Sequence, residues 1–180
     1  MAKQPSNTES IDNILRNKSL KAKNKTAQIS QLLLDYTIRA HQLIPISADN
    51  KGKNKAILIE SLEHASKTNP ELIDSETFRF LIESLKDEVP RVKWESAKAI
   101  SHTAHLYPKL LEKAVMNLLS NTAHSGTVVR WSAAGALSKI LHCQTSINKK
   151  LVTAIENILK SEADNAIRKI YQKALKKSFK

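Results

Sequence analysis

The sequence predicts an all-α protein, a right-handed α–α superhelix built from stacked helix pairs. Three observations carry that prediction. The stretch TVVRWSAAGALSKIL at 127–141 recurs upstream as RVKWESAKAISHTAHL from Arg91 and downstream as AIRKIYQKALKK from Ala166. Aligning the three copies superposes Val92, Val129 and Ile167, then Lys93, Arg130 and Arg168, then Ile100, Leu137 and Leu175. The steps from 92 to 129 and from 129 to 167 are 37 and 38 residues, and self-similarity at such a period marks a solenoid of helix pairs. Only 3 glycines and 5 prolines occur in 180 residues, which disfavours sandwiches, barrels and disorder. The periodic segments are dominated by Ala, Leu, Ile, Lys and Glu, all good or tolerated helix formers.

Each element follows from local chemistry. Residues 1–8 are polar and expected to fray. Ile11, Ile14 and Leu15 place one apolar face on a short helix over 9–16, suited to cap the end of the stack. Lys18, Lys21, Lys23 and Lys25 make 17–25 a basic linker, so the repeat domain is drawn at 26–180 and a tail at 1–25. Thr26 is a fitting N-cap for a long helix through Ile44, with Ile29, Leu32, Leu33, Tyr36, Leu43 and Ile44 as its buried stripe and Pro45 as its stop. Asp49, Asn50 and Gly52 predict a loop over 47–53; no P-loop pattern surrounds the glycine. Helices follow over 54–68 and 73–86. Pro90 opens the next helix and Val92 begins its core-facing stripe. Further helices are expected over 109–120, 127–141, 146–160 and 164–177, the last with Asp164 as N-cap. The count is about four helix pairs plus the N-terminal capping helix.

The turn LKDEVPRVKW at 85–94, with the recurring pattern of a hydrophobic residue, Arg or Lys, then an Ala-rich run, resembles the HEAT repeat and its armadillo-type relatives. The resemblance covers roughly 26–177. It implies that the second helix of each pair lines a concave surface and that the array is a binding scaffold. It also implies a ladder in which an Asp at the turn within a pair bonds the Arg or Lys of the next repeat. Asp87 with Lys93, Arg130 and Arg168 resembles that ladder. Asn121 and Ser161 stand at the counterparts of Asp87, so the ladder reads as incomplete, and its cations are either structural or partly available to a ligand.

Charge and composition bound the function. The formal charge is +12, unevenly placed: net +5 over 1–53, −4 over 54–90 and +11 over 91–180. A basic half beside an acidic repeat is the footprint of an anionic partner, or else a lysine-rich solvated surface. One cysteine, Cys143, makes no internal disulfide, which points to a reducing, cytoplasmic setting. No apolar run reaches the roughly 18 residues of a membrane span, and the first residues lack the apolar core of a secretory signal.

The candidate site is a stripe. On a helix Trp94 lies about 200° from Val92, so Trp94 shares a face with Lys98, Ser101 and His105, and Trp131 shares one with Gly135, Ser138 and His142. Lys169 and Lys173 occupy the corresponding places in the last helix. The expected binding residues are therefore Trp94, Lys98, His105, Arg130, Trp131, His142, Lys169 and Lys173. Indoles flanked by cations suit nucleobases, phosphates or acidic protein segments. The other reading has each Trp filling the groove between repeats against Ala97, Ala134 and Gly135. His102, His105, His142 and Cys143 lack the spacing and carboxylate support of a metal centre, so no metal or cofactor is expected. Nor is there a nucleophile elbow, a Gly-rich dinucleotide turn or a carboxylate pair in the basic half. Alkylpurine DNA glycosylases resemble this chain in size, charge and architecture. They imply a catalytic Asp near the concave tryptophans, whereas here Glu95 is the adjacent carboxylate and reads as facing elsewhere. The expectation is a non-enzymatic module that binds an acidic protein or peptide partner through its concave surface. The alternatives are a DNA-binding relative of those glycosylases and an assembly scaffold with no single small ligand.

Overall fold

The structure is a computed structural model that describes residues 7–143 and 145–178; the first six residues of the expected polar tail lie outside it. Ten α-helices occur among these residues, and no strand: α1 (Asn7–Arg16), α2 (Ala22–Leu34), α3 (Leu43–Asp49), α4 (Gly52–Thr68), α5 (Ser75–Ser84), α6 (Pro90–Thr103), α7 (Leu111–Asn121), α8 (Thr127–Leu141), α9 (Asn148–Ser161) and α10 (Asn165–Ser178). Among the described residues no helix is long and apolar enough to cross a membrane.

The helices pair in order, and the second members form a continuous layer. α4 packs on α2, α6 on α4, α8 on α6 and α10 on α8, each more extensively than the first helices pack on one another. A stack whose second helices are close and whose first helices are splayed curves towards the second-helix layer. The recurring apolar positions make that layer. Val92, Val129, Ile167, Ile100 and Leu137 are all buried, and Leu175 is half-buried. Ala97, Ala99, Ala133, Ala134 and Ala136 let neighbouring backbones approach, and all five are buried. Ile11 and Leu15 of α1 belong to the same core cluster as Ile29 and Leu33 of α2, so the capping helix is the partner of α2.

The expected helix over 26–44 is two helices. α2 begins four residues earlier than Thr26, and its first turn uses part of the stretch read as a basic linker. Lys25 is buried there, its ammonium donating to the Leu15 carbonyl. α2 ends at Leu34, and the chain turns away at Tyr36, which adopts the left-handed region at φ 57°. Its amide bonds the Leu33 carbonyl at 3.1 Å and the Ile38 amide bonds that of Leu32 at 3.2 Å, closing the terminus as a left-handed cap does. The Tyr36 hydroxyl accepts from Asn69 Nδ2 at 3.0 Å, and the Arg39 guanidinium sits 5.3 Å from its ring. These contacts hold a tyrosine where glycine is usual. Pro45 then stops nothing: it sits in the first turn of α3, where its missing N–H has no intrahelical acceptor to lose. The loop expected over 47–53 shrinks to the residues between Asp49 and Gly52.

The remaining elements match the sequence expectation closely. Asp74 caps α5 by accepting from the Thr77 amide at 2.8 Å, and Pro90 opens α6. Asp164 accepts from the Ala166 and Ile167 amides at 2.8 and 3.1 Å.

Candidate functional site

A cation stands at the fourth residue of every second helix: Lys25, Lys55, Lys93, Arg130 and Arg168. Lys55 pairs with Asp87 at 2.7 Å, Lys93 reaches Asn121 at 3.4 Å, and Arg130 pairs with Glu162 at 3.1 Å. Each thus bonds to the turn of the following repeat, so the ladder runs opposite to the expected sense: the turn residue meets the cation of the preceding repeat, Asp87 with Lys55. Most also satisfy carbonyls of their own turn: Lys93 that of Leu85, Arg130 that of His124, Arg168 that of Leu159. The ladder is therefore fuller than the sequence suggested. Its last acid is Glu162 rather than Ser161, because α9 runs through Ser161 and Glu162 turns inward as the buried C-cap. Arg130, a predicted binding residue, is a member of this ladder.

The concave layer has two electrostatic halves. Towards the N-terminus, its acids are already matched. Glu60 accepts from Arg91 at 2.6 Å and Thr26 at 2.7 Å. Glu63, nearly fully buried, is met by His102 at 3.2 Å and Lys98 at 3.3 Å. Burial opposes its ionisation, but hydrogen bonds from His102 and Lys98, with their charges, outweigh that and hold the carboxyl below its usual range. Lys98 also pairs with Glu95 at 2.8 Å. Burial disfavours the Lys98 ammonium, yet Glu95 and Glu63 together raise its pKa above the ordinary lysine value. Glu95 is not turned away from the tryptophan: Trp94 Nε1 donates to Glu95 Oε1 at 2.7 Å. Trp94 is half-buried and Lys98 is engaged twice, so this end of the predicted stripe is saturated internally.

Towards the C-terminus the layer is open. Trp131 is 48% exposed and Val128, one turn before it, 52%. Trp131, Gly135 and Lys139 of α8 face Ile170, Lys173 and Lys177 of α10 across a cleft of about 370 Å³. His142 closes its end and joins it to a second cleft of about 400 Å³, where His105, His102 and Lys67 meet Lys139. Lys169 stands with Lys173 and Lys176 in a third recess on α10. Among the described residues no carboxylate pairs with Lys139, Lys169, Lys173, Lys176 or Lys177. The structure therefore brings Trp131, His142 and Lys173 together at one cleft, with Lys169 beside it and His105 in the adjoining one, and sets Trp94, Lys98 and Arg130 in internal pairs.

Sequence reasoning missed Lys139, Lys177 and Ile170. The signal was present. Extending the register to the helix ends aligns His64, His102, Lys139 and Lys177, one His or Lys per repeat. The starts of the helices carry the recognisable motif, and the ends do not.

Among the described residues no group of three or more His, Cys, Asp or Glu side chains is placed to hold a metal ion. Burial pushes the Cys143 thiol up from its ordinary value, away from thiolate reactivity.

No protein-family profile and no curated protein matches the chain. Solved structures do. One belongs to the complex of CpcE and CpcF of phycocyanin lyase from Nostoc sp. PCC7120, with a TM-score of 0.70 and 18% identity, covering 92% of this chain and 98% of that one. Another is a designed armadillo repeat protein in complex with the peptide (KR)4, with a TM-score of 0.56 and 16% identity, covering 98% of this chain and 100% of that one. At these identities the likeness establishes the fold: an α-helical repeat solenoid of the HEAT and armadillo kind.

Proposed function

We propose that the protein is a non-catalytic binding module that engages an acidic protein or peptide segment along its concave layer. The observation that supports this most directly is the contrast between the two halves of that layer. The carboxylates of α4 and α6 are consumed by Arg91, Lys98 and His102. The lysines of α8 and α10 have no acidic counterpart among the described residues. Cations held on helices beside an exposed indole are complementary to a carboxylate-bearing chain. Structural neighbours lend the idea context: one was solved with a peptide, the other as a two-protein complex. The peptide (KR)4 is basic, and this chain's open half has the opposite preference.

The alternative is nucleic acid, favoured by the same exposed Trp131 among lysines, since bases stack on aromatic rings and phosphates meet cations. A glutamate-rich peptide and a generic DNA duplex, each fluorescently labelled, separate the two readings in an anisotropy titration over a salt series. The proposed function expects saturable peptide binding that Lys173→Glu weakens. Tight duplex binding with a steep logarithmic salt dependence, and none to the peptide, overturns it, because counterion release is the mark of phosphate contacts.

A further inference from the structure

Gly135 is the residue the fold does not account for. It lies in the interior of α8, where glycine costs about 1 kcal/mol relative to alanine. Its backbone is ordinary helix, so no left-handed turn demands it. A Cβ placed on it meets nothing within 4 Å, so no close approach demands it either. The repeat pattern does not call for it, since its equivalents are Lys98 and Lys173. Gly135 lines the α8–α10 cleft together with Trp131, and a Cβ there would stand in open space.

Resting on the acidic-partner reading above, we infer that this cleft is an anchor subsite for one large apolar side chain of the acidic segment. The walls are apolar: the Trp131 ring on one side, Ile170 and Ala174 on the other. A volume of about 370 Å³ lies at the small end of ligand pockets, suited to a single side chain rather than a whole domain. The rim is cationic, with Lys139, Lys173 and Lys177 placed to meet carboxylates on either side of the anchor. The Trp131 indole N–H donates to no protein group among the described residues, in contrast to that of Trp94, which is spent on Glu95. It is available to a carboxylate or backbone carbonyl of the segment. The preferred ligand is thus an extended chain with Asp or Glu flanking one Phe, Trp or Leu.

The test uses two synthetic decapeptides, glutamate-rich, one with a central Phe and the other with Ser in its place. Affinities are measured by calorimetry on the full chain. The Phe peptide is expected to bind about tenfold or more tightly, the scale of burying one such side chain. Gly135→Leu is expected to erase that difference by filling the cleft, so that the Phe and Ser peptides bind within about twofold of each other. This variant replaces a poor helix former at an uncrowded position, so its melting temperature is expected to hold or rise. Lys173→Glu is expected to weaken both peptides. Equal binding of the two peptides, or a Phe preference that survives Gly135→Leu, overturns the anchor while the acidic-partner reading stands. If neither peptide binds, that reading fails and the anchor with it.

Discussion

Glu63 is almost fully buried and still ionised, so it ties folding to pH. Its folded-state pKa is lowered, because the His102 and Lys98 contacts outweigh the burial that opposes them. Asp74 is lowered in the same sense: the Thr77 amide and His41 outweigh its own burial. A depressed carboxyl contributes stability above its unfolded value, about 4.3 for Glu, and that contribution is lost as pH falls through the folded value. Denaturant midpoints are therefore expected to drop on acidification below about pH 4.5, and Glu63→Gln is expected to flatten that limb. An acid limb identical to wild type in Glu63→Gln would show that the pairing carries no such linkage. Tyr171 makes a prediction of opposite direction. Its ring, on α10, is fully buried, and its hydroxyl has no hydrogen-bond partner among the described residues. Leaving such a group unpaired costs about 1–3 kcal/mol. Tyr171→Phe keeps the ring and removes the orphan, so it should raise the thermal midpoint; a lower midpoint would reveal a partner for that hydroxyl.

At the scale of elements, packing of the second helices depends on small residues at fixed places. Ala134 has no exposed surface, and a leucine there adds three carbons where neighbouring helices already touch. Ala134→Leu is expected to cost about 1–3 kcal/mol by overpacking, read as a lower denaturant midpoint with an unchanged slope; no loss of stability would place Ala134 off the contact. The elements also show where the sequence is readable. α6, α8 and α10 announce themselves because stacking needs the same position apolar in every repeat, hence Val92, Val129 and Ile167 in register. The break after Leu34 is hidden because no glycine or proline marks it. Leu32, Leu33 and Leu34 continue a helical pattern into Tyr36, and what turns the chain is the tertiary support from Asn69 and Arg39. The site is legible in the same uneven way. Trp131 and Lys173 follow from the repeat register, whereas Lys98 is neutralised partly by Glu95, three residues before it on α6, and partly by Glu63, 35 residues away on α4. A charge count sees Lys98 and Lys173 as alike; Glu95 at i−3 of Lys98, where Lys173 has Ile170, is legible in the sequence, and the contribution of Glu63 is not, because it comes from the packing of α6 on α4.

The whole molecule is close to one-dimensional: each repeat touches only its neighbours, so stability accumulates along the stack instead of residing in one centre. α6 is held by α4 and α8 as well as by α5 and α7, while α10 rests chiefly on α8 and, less extensively, on α9. α10 also turns Lys169, Gln172, Lys173 and Lys176 to solvent. This asymmetry sets the dynamics of the groove, because one wall of the α8–α10 cleft belongs to the less supported helix. Local opening free energies in native proteins range from near zero up to the global value. Amide hydrogen exchange is therefore expected to be slowest in α4, α6 and α8 and faster in α10 under native conditions. Adding the Phe-bearing acidic peptide should slow exchange in α10 selectively, because a ligand that requires the closed cleft stabilises the state that has it. Charge alone predicts something different. A peptide attracted only by the lysine field would spread its protection over every lysine-bearing helix end, including that of α4 at Lys67. Uniform exchange along the stack would remove the premise of an end that opens independently, and diffuse protection on peptide addition would remove the localised cleft. Slowing confined to α8 and α10 would join the fold's linear energetics to the place where the protein is proposed to bind.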